Sequence, residues 1–290
     1  MPQSPDADLV AAEVLRARRY RWLAPALVRR LAADEAPKAR NEAEAIKRTK
    51  RRLHQVCGAY AMDLDPAAAV VRLGEAMSAG EAAWRRACLD LMGRHASTRE
   101  RVPILDRFYR DIFALTGRPA LLLDLACGLG PLALPWMGLP LETTFAAYDV
   151  DRRLLDTVDG LLTLAGQPHR VELRDVVADP PAERADVALL LKSAPCLEQQ
   201  ATGSTRRLIE QLNAAWVVIS YPTRSLGGAG KGMPAHYRAQ FEALADGFEE
   251  VRELSYPQEL VFVARMRAPA DNAGATLQPY TARSAHEAPL

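Results

Sequence analysis

Apolar side chains recur at helical spacing from residue 6 to about residue 93, as in Val10, Val14, Leu15, Trp22, Leu23, Leu27 and Leu31. Pro25, Pro37, Gly58, Pro66, Gly74, Gly80 and Gly93 interrupt the pattern, so the spacing predicts several short helices. Ser97 and Glu100 stand at capping-box separation ahead of Val102, Leu105, Phe108, Tyr109, Ile112 and Phe113, which predicts a helix that starts there and ends near Gly117. After residue 120 the period changes. Short apolar runs alternate with helical stretches, the pattern of βαβ units on a mainly parallel sheet. Strands are expected over 120–126, 144–150, 169–176, 186–192, 216–221, 248–255 and 260–266. The last two flank Tyr256-Pro257-Gln258, which predicts a terminal antiparallel hairpin on an otherwise parallel, doubly wound α/β sheet. The expected division is a helical domain over 1–94, an α/β domain over 95–267, and a tail over 268–290 whose Ala, Pro and polar residues offer no core to pack.

Composition narrows the class. With 49% hydrophobic and 25% charged residues the 290-residue chain is globular. Residues 1–8 lack the basic-then-apolar order of a secretory leader, and no stretch reaches the roughly eighteen apolar residues of a membrane span, so a cytoplasmic location is expected. Cys57, Cys88, Cys127 and Cys196 form no C-x-x-C pair and have no His cluster beside them, so neither a disulfide nor a bound metal is expected. Net charge is only +1, yet positions 16–52 hold thirteen Lys or Arg against four Asp or Glu. That concentration marks a polyanion-binding face that would contact phosphates rather than read bases.

The chemistry is expected at the strand ends. In Leu121-Leu122-Leu123-Asp124-Leu125-Ala126-Cys127-Gly128-Leu129-Gly130-Pro131 an apolar strand enters a glycine turn that opens toward a helix, where a ligand can approach the backbone closely. Ala133 stands where a dinucleotide fingerprint needs its third glycine, which favours an adenosyl ligand. Asp149 ends the second expected strand, placed to accept ribose hydroxyls, and Asp175 ends the third, near where an adenine amino group would lie. After the fourth strand comes Lys192-Ser193-Ala194-Pro195-Cys196-Leu197-Glu198, without the Asn/Asp-Pro-Pro-aromatic tetrad of adenine-N6 enzymes; Asp179-Pro180-Pro181 comes one strand too early. Pro195-Cys196 leaves open a cytosine-C5 enzyme with Cys196 as nucleophile. A non-catalytic protein that binds cofactor and RNA also stays open. The run 221–233 fails as a phosphate loop, because Ser225 replaces its first glycine and Gly232 its Ser or Thr, and is expected to be a basic loop over the fifth strand.

Several strings together resemble one family. They are Arg52-Leu53-His54-Gln55-Val56-Cys57-Gly58-Ala59-Tyr60, His95-Ala96-Ser97-Thr98-Arg99-Glu100-Arg101, and the runs 124–137, 192–199 and 221–233. The chain resembles the aminoglycoside-resistance 16S rRNA (guanine(1405)-N(7))-methyltransferases, the Arm/Rmt group and its relatives from antibiotic producers. The resemblance implies a class I, Rossmann-like methyltransferase fold behind a helical RNA-docking domain, with S-adenosylmethionine as cofactor and 16S rRNA in the 30S subunit as partner. It implies resistance to 4,6-disubstituted deoxystreptamine aminoglycosides such as kanamycin and gentamicin. The implied cofactor residues are Arg101 on the methionine carboxylate, Gly128 at the cofactor backbone, Asp149 on the ribose, Asp175 on the adenine with Val176 beside it, and Lys192 and Glu198 near the target. The implied RNA contacts are Arg48, Lys50, Arg51, Arg52, His54, Arg224 and Lys231. Guanine N7 carries a free lone pair, so no acid–base residue is implied and Cys196 becomes a packing residue. One departure is visible: Gly130 stands where the family usually has Asn.

Overall fold

The computed structural model describes residues 4–58, 62–223 and 233–267. Five helices open the chain: α1 (Ala7–Arg16), α2 (Pro25–Glu35), α3 (Glu42–Cys57), α4 (Pro66–Ser78) and α5 (Glu81–Arg94). Asp6, Asn41 and Asp65 accept first-turn N–H groups and so fix the starts of α1, α3 and α4, while Pro25 and Pro66 occupy first-turn positions where no donor is needed. A short helix α6 (Ala96–Arg99) and a 3-10 turn at Val102–Ile104 then lead into α7 (Leu105–Thr116), which stops at Gly117. The long helix therefore begins later than the Ser97–Glu100 spacing predicts. Pro103 lacks a donor and disfavours helical geometry at Val102. Ser97 and Glu100 turn to other partners: Ser97 Oγ bonds His95 Nδ1, and Glu100 accepts from Lys192.

Seven strands follow: β1 (Leu121–Leu125), β2 (Thr144–Asp149), β3 (His169–Leu173), β4 (Ala185–Leu191), β5 (Ala214–Pro222), β6 (Phe248–Ser255) and β7 (Glu259–Met266). They are ordered β3-β2-β1-β4-β5-β7-β6, with β7 antiparallel to both β5 and β6 and every other pairing parallel. The connecting helices are α8 (Leu134–Met137), α9 (Arg152–Leu164), α10 (Ala194–Gln200), α11 (Ser204–Gln211) and α12 (Met233–Glu242). Expected and observed strands agree except for the third. β3 stops at Leu173, and Asp175 lies in the turn beyond it, where its carbonyl accepts Ala178 and Asp179 N–H groups.

Side chains alternate across the sheet. Leu122, Phe145, Val187 and Leu189 face a core shared with α4, α5, α7 and α9. Leu123, Ala146, Ala188 and Leu190 face the core under α11 and α12. Helices α1 to α3 close a third core around Val14, Leu27, Leu31 and Leu53. A boundary at residue 94 thus does not follow the packing: α4 and α5 belong to the sheet, and only α1–α3 form a separate helical unit. That unit is clipped to the sheet between α1 and α2, where Ala24 N donates to Val150 O at 2.8 Å and Arg152 N to Trp22 O at 2.9 Å. The expected tail 268–290 lies outside the described residues.

Candidate cofactor and target site

The carboxyl edge of β1 turns sharply. Ala126 and Gly128 both adopt left-handed backbone, at φ 52° and 55°. Gly128 N donates to Asp149 Oδ2 at 2.8 Å, while Asp149 Oδ1 accepts Val150 N at 2.7 Å and Asp151 N at 2.9 Å. Burial pushes the Asp149 carboxyl up to about 6, and those three backbone donors oppose the rise. A Cβ on Gly128 would stand 3.1 Å from the His95 ring, so the turn is closed on that imidazole, itself pushed down to about 4 by burial. Asp124, one layer deeper, is pushed up to about 7 by burial, and among the described residues its Oδ2 has no hydrogen-bond partner. A Cβ at position 130 would lie 3.2 Å from that oxygen; Gly130 leaves it room.

Lys192, just past β4, is also left-handed, at φ 60°. A non-glycine residue in this region is strained, and here two such residues face one cleft. Lys192 Nζ donates to Glu100 Oε2 at 2.7 Å and Ser97 O at 3.3 Å, and lies 3.5 Å from Glu259 Oε2. Glu259, at the start of β7, accepts Arg101 through both carboxylate oxygens at 2.6 and 3.1 Å and Ser220 Oγ at 2.6 Å. Burial alone would raise the Glu259 carboxyl, but Arg101 and Lys192 hold it below the usual range.

His95, Ala126, Gly128, Asp149 and Lys192 border one solvent-open cleft. Its floor brings together five of the expected cofactor residues, Gly128, Asp149, Asp175, Val176 and Lys192. Its roof comes from α3 and the link between α1 and α2: Arg19, Tyr20, Leu23, Leu53, His54 and Cys57. Two expected cofactor residues are not brought to it. Arg101 is 2% exposed and spent on Glu259, with Phe108 against its guanidinium, so it stands behind Lys192. Glu198 turns away to accept Gly203 N and Thr205 N, fixing the start of α11. Cys196 lines the cleft, its thiol 4.0 Å from Lys192 O.

The expected RNA contacts divide in the same way. Arg51 is exposed and Lys50 half-buried, but Arg48 pairs with Glu35 at 2.9 Å and Arg52 donates to Gln200 O at 3.1 Å. His54 meets Arg19 at 3.1 Å in the roof. Arg224 and Lys231, with the rest of the expected basic loop, lie outside the described residues. Sequence reasoning missed Glu259 and Tyr20, read Glu100 as a helix cap and took Arg19 for a phosphate contact. A single acid opening an apolar strand carries no signal of its own, and the roof residues are too far along the chain from the glycine turn to be joined to it. No cluster of three or more metal-ligating side chains occurs among the described residues.

The family model described as ribosomal RNA methyltransferase (FmrO) matches residues 16–263. A 16S rRNA (guanine(1405)-N(7))-methyltransferase of Micromonospora echinospora is 43% identical over 261 residues, covering 88% of this chain and 95% of the relative. Its counterpart from Serratia marcescens is 36% identical over 255 residues, 87% of this chain and 95% of its own. Among solved structures, the 16S rRNA methylase RmtB is similar at a TM-score of 0.76 and 30% identity, covering 90% of this chain and 99% of that one. The 16S rRNA methyltransferase RmtF in complex with S-adenosyl-L-homocysteine is similar at 0.75 and 32%, covering 90% and 98%.

Proposed function

The chain belongs to the FmrO family of ribosomal RNA methyltransferases, and we propose that it methylates N7 of guanine 1405 in 16S rRNA within the 30S subunit, using S-adenosylmethionine. The observation that carries this reading is the meeting of Gly128, Asp149, Asp175 and Lys192 at one sheet edge under a roof of basic helices. The site fits the cofactor: Asp149 lines the cleft and, with two backbone donors on Oδ1 and one on Oδ2, keeps a lone pair on Oδ2 for a ligand. Asp149 would hold the ribose through Oδ2, Asp175 the adenine amino group, Val176 the ring, and the Gly128 turn the methionine end.

When bound, S-adenosylmethionine supplies a methyl group already activated on sulfonium sulfur. Guanine N7 supplies its own lone pair, so this chain need not remove a proton and its residues act by positioning. Lys192, tethered to Glu100 and Ser97, is a fixed cation at the target side of the cleft. Arg101 acts on it through Glu259, and Glu198 through the α10–α11 turn. Exposed cations of α1–α3, Arg51 among them, dock on rRNA phosphates, giving strong salt dependence. The enzyme then works in the cytoplasm, and its product confers resistance to kanamycin and gentamicin. The test is methylation of 30S subunits with labelled S-adenosylmethionine, followed by mapping of the base. Label at N7 of guanine 1405, retained in Cys196→Ala, is expected. Label on a cytosine, lost in Cys196→Ala, would overturn the proposal in favour of the covalent route.

A further inference from the structure

We propose that Arg30, on helix α2 of the docking unit, is a positioning residue of the adenine subsite: its guanidinium fixes the Asp175 carboxylate and ties it to Gln200 at the end of α10. Arg30 Nε donates to Asp175 Oδ2 at 2.8 Å, and a terminal nitrogen donates to Gln200 Oε1 at 2.5 Å. The pair is enclosed, with Asp175 2% and Arg30 21% exposed at the side chain. Neighbouring Arg29 shows the contrast: it is 64% exposed and lies 3.8 Å from a surface Asp8.

The carboxylate plane of an aspartate turns in a broad well, so a single bond leaves its free oxygen loosely aimed. Asp175 lines the cleft, and among the described residues its Oδ1 accepts only a long bond from Val177 N, at 3.3 Å, which leaves acceptor capacity for a ligand. Arg30 Nε on Oδ2, with the other arm of the rigid guanidinium held on Gln200, sets the plane and thereby the direction of Oδ1. The same fork reaches Gln200, whose own carbonyl accepts from Arg52 of α3. Two arginines of the docking unit therefore hold the adenine end of the cleft and the helix on its target side as one assembly. A lysine at position 30, a point charge without a fork, cannot make both contacts in this geometry.

The proposal rests on the reading of Asp175 as acceptor for the adenine amino group, and the test separates the two. Calorimetry would compare S-adenosylhomocysteine with S-inosylhomocysteine, in which a carbonyl oxygen replaces that amino group. The wild type is expected to prefer the adenosyl compound by about tenfold or more, the worth of one charge-assisted hydrogen bond. Arg30→Lys should cut the preference to about threefold, and Arg30→Met should abolish it, whereas Arg29→Met keeps it whole. Adding Arg30→Met to Asp175→Asn should change the preference no further. Should Arg30→Met fail to fold, Arg30→Lys and the double variant decide the matter. Full preference in Arg30→Lys, with Asp175→Asn losing it, would overturn the role of Arg30 and leave the reading of Asp175 standing. No preference in the wild type, with unchanged binding in Asp175→Asn, would overturn both. A merely structural role would lower the melting temperature of the Arg30 variants and leave the preference intact, which also refutes the proposal.

Discussion

Asp149 and Glu259 are buried carboxylates at the same sheet edge, and they are held in opposite ways. Asp149 is surrounded by neutral donors, the N–H groups of Gly128, Val150 and Asp151. These offset burial only in part, and the group stays up at about 6 with one lone pair to spare, on Oδ2. Glu259 is surrounded by Arg101, Ser220 and Lys192, which overcome the effect of burial and hold it below the ordinary range. Its oxygens have no room for a ligand. A carboxylate meant to receive hydroxyl groups is ordered by dipoles, whereas one meant to order other side chains is neutralised by cations.

The largest expected effect follows from the second arrangement. Glu259→Ala leaves the Arg101 guanidinium buried without its partner, and the free energy of unfolding should fall by about 3–5 kcal/mol. Urea denaturation would measure this. Glu259→Gln, which keeps an acceptor for Ser220, should lose less. A loss below about 1 kcal/mol in Glu259→Ala would mean that Arg101 finds other partners, and the contrast with Asp149 would collapse.

The same contrast explains what the sequence made legible. That Gly128, Asp149 and Lys192 meet at one cleft was legible because each stands at the carboxyl end of a strand of the parallel sheet, so strand spacing locates them. The Arg101–Glu259 pair spans 158 residues, and no local pattern joins a buried Arg after α6 to the first residue of β7. Arg101 was accordingly expected at the cofactor carboxylate, whereas it is buried on Glu259 and does not line the cleft. The α/β order, the terminal hairpin and the basic unit were all readable from period and composition. The division of helices between cores was not, because α4 and α5 are apolar on the face that meets the sheet in the same way that α1–α3 are on the faces that meet each other. Asp175 was placed on a strand because the run 169–176 alternates, but the chain leaves the sheet after Leu173.

Smaller effects sharpen the Asp149 side. Asp149→Ala should weaken S-adenosylhomocysteine binding by roughly 1–3 kcal/mol in calorimetry. In the wild type the affinity should fall as pH drops through about 6, because protonation removes acceptor capacity, and this step should vanish in Asp149→Asn. Asp124 lies between the two carboxylates, pushed up by burial, pulled down by Arg101 and pushed up again by Asp149. Its folded value of about 7 stands above the unfolded carboxyl, so the folded state holds the extra proton between them. The contribution of this group to stability therefore declines as pH rises from about 4 toward 7, and its cost is complete above 7. Asp124→Asn should flatten that slope and gain on the order of 2 kcal/mol at pH 8 relative to pH 5. An unchanged slope in denaturation curves would mean that another group titrates there.

The smallest effect carries the comparison into the docking unit, where adjacent residues of one basic run face opposite ways. Arg51 is exposed, while Arg52 donates to Gln200 O and so joins α3 to the helix after β4. Arg51→Ala should leave the melting temperature and S-adenosylhomocysteine affinity unchanged, weaken binding to 30S subunits by about 1 kcal/mol, and lower the slope of log affinity against log salt by about 0.7–0.9. Arg52→Ala should instead lower the melting temperature by a few degrees and loosen the cofactor cleft, with a smaller change in salt slope. Filter binding at several salt concentrations, with calorimetry beside it, distinguishes the two. Identical behaviour of the two variants would make the run a uniform phosphate-binding face, and the distinction between inward and outward cations would then hold at the sheet edge alone.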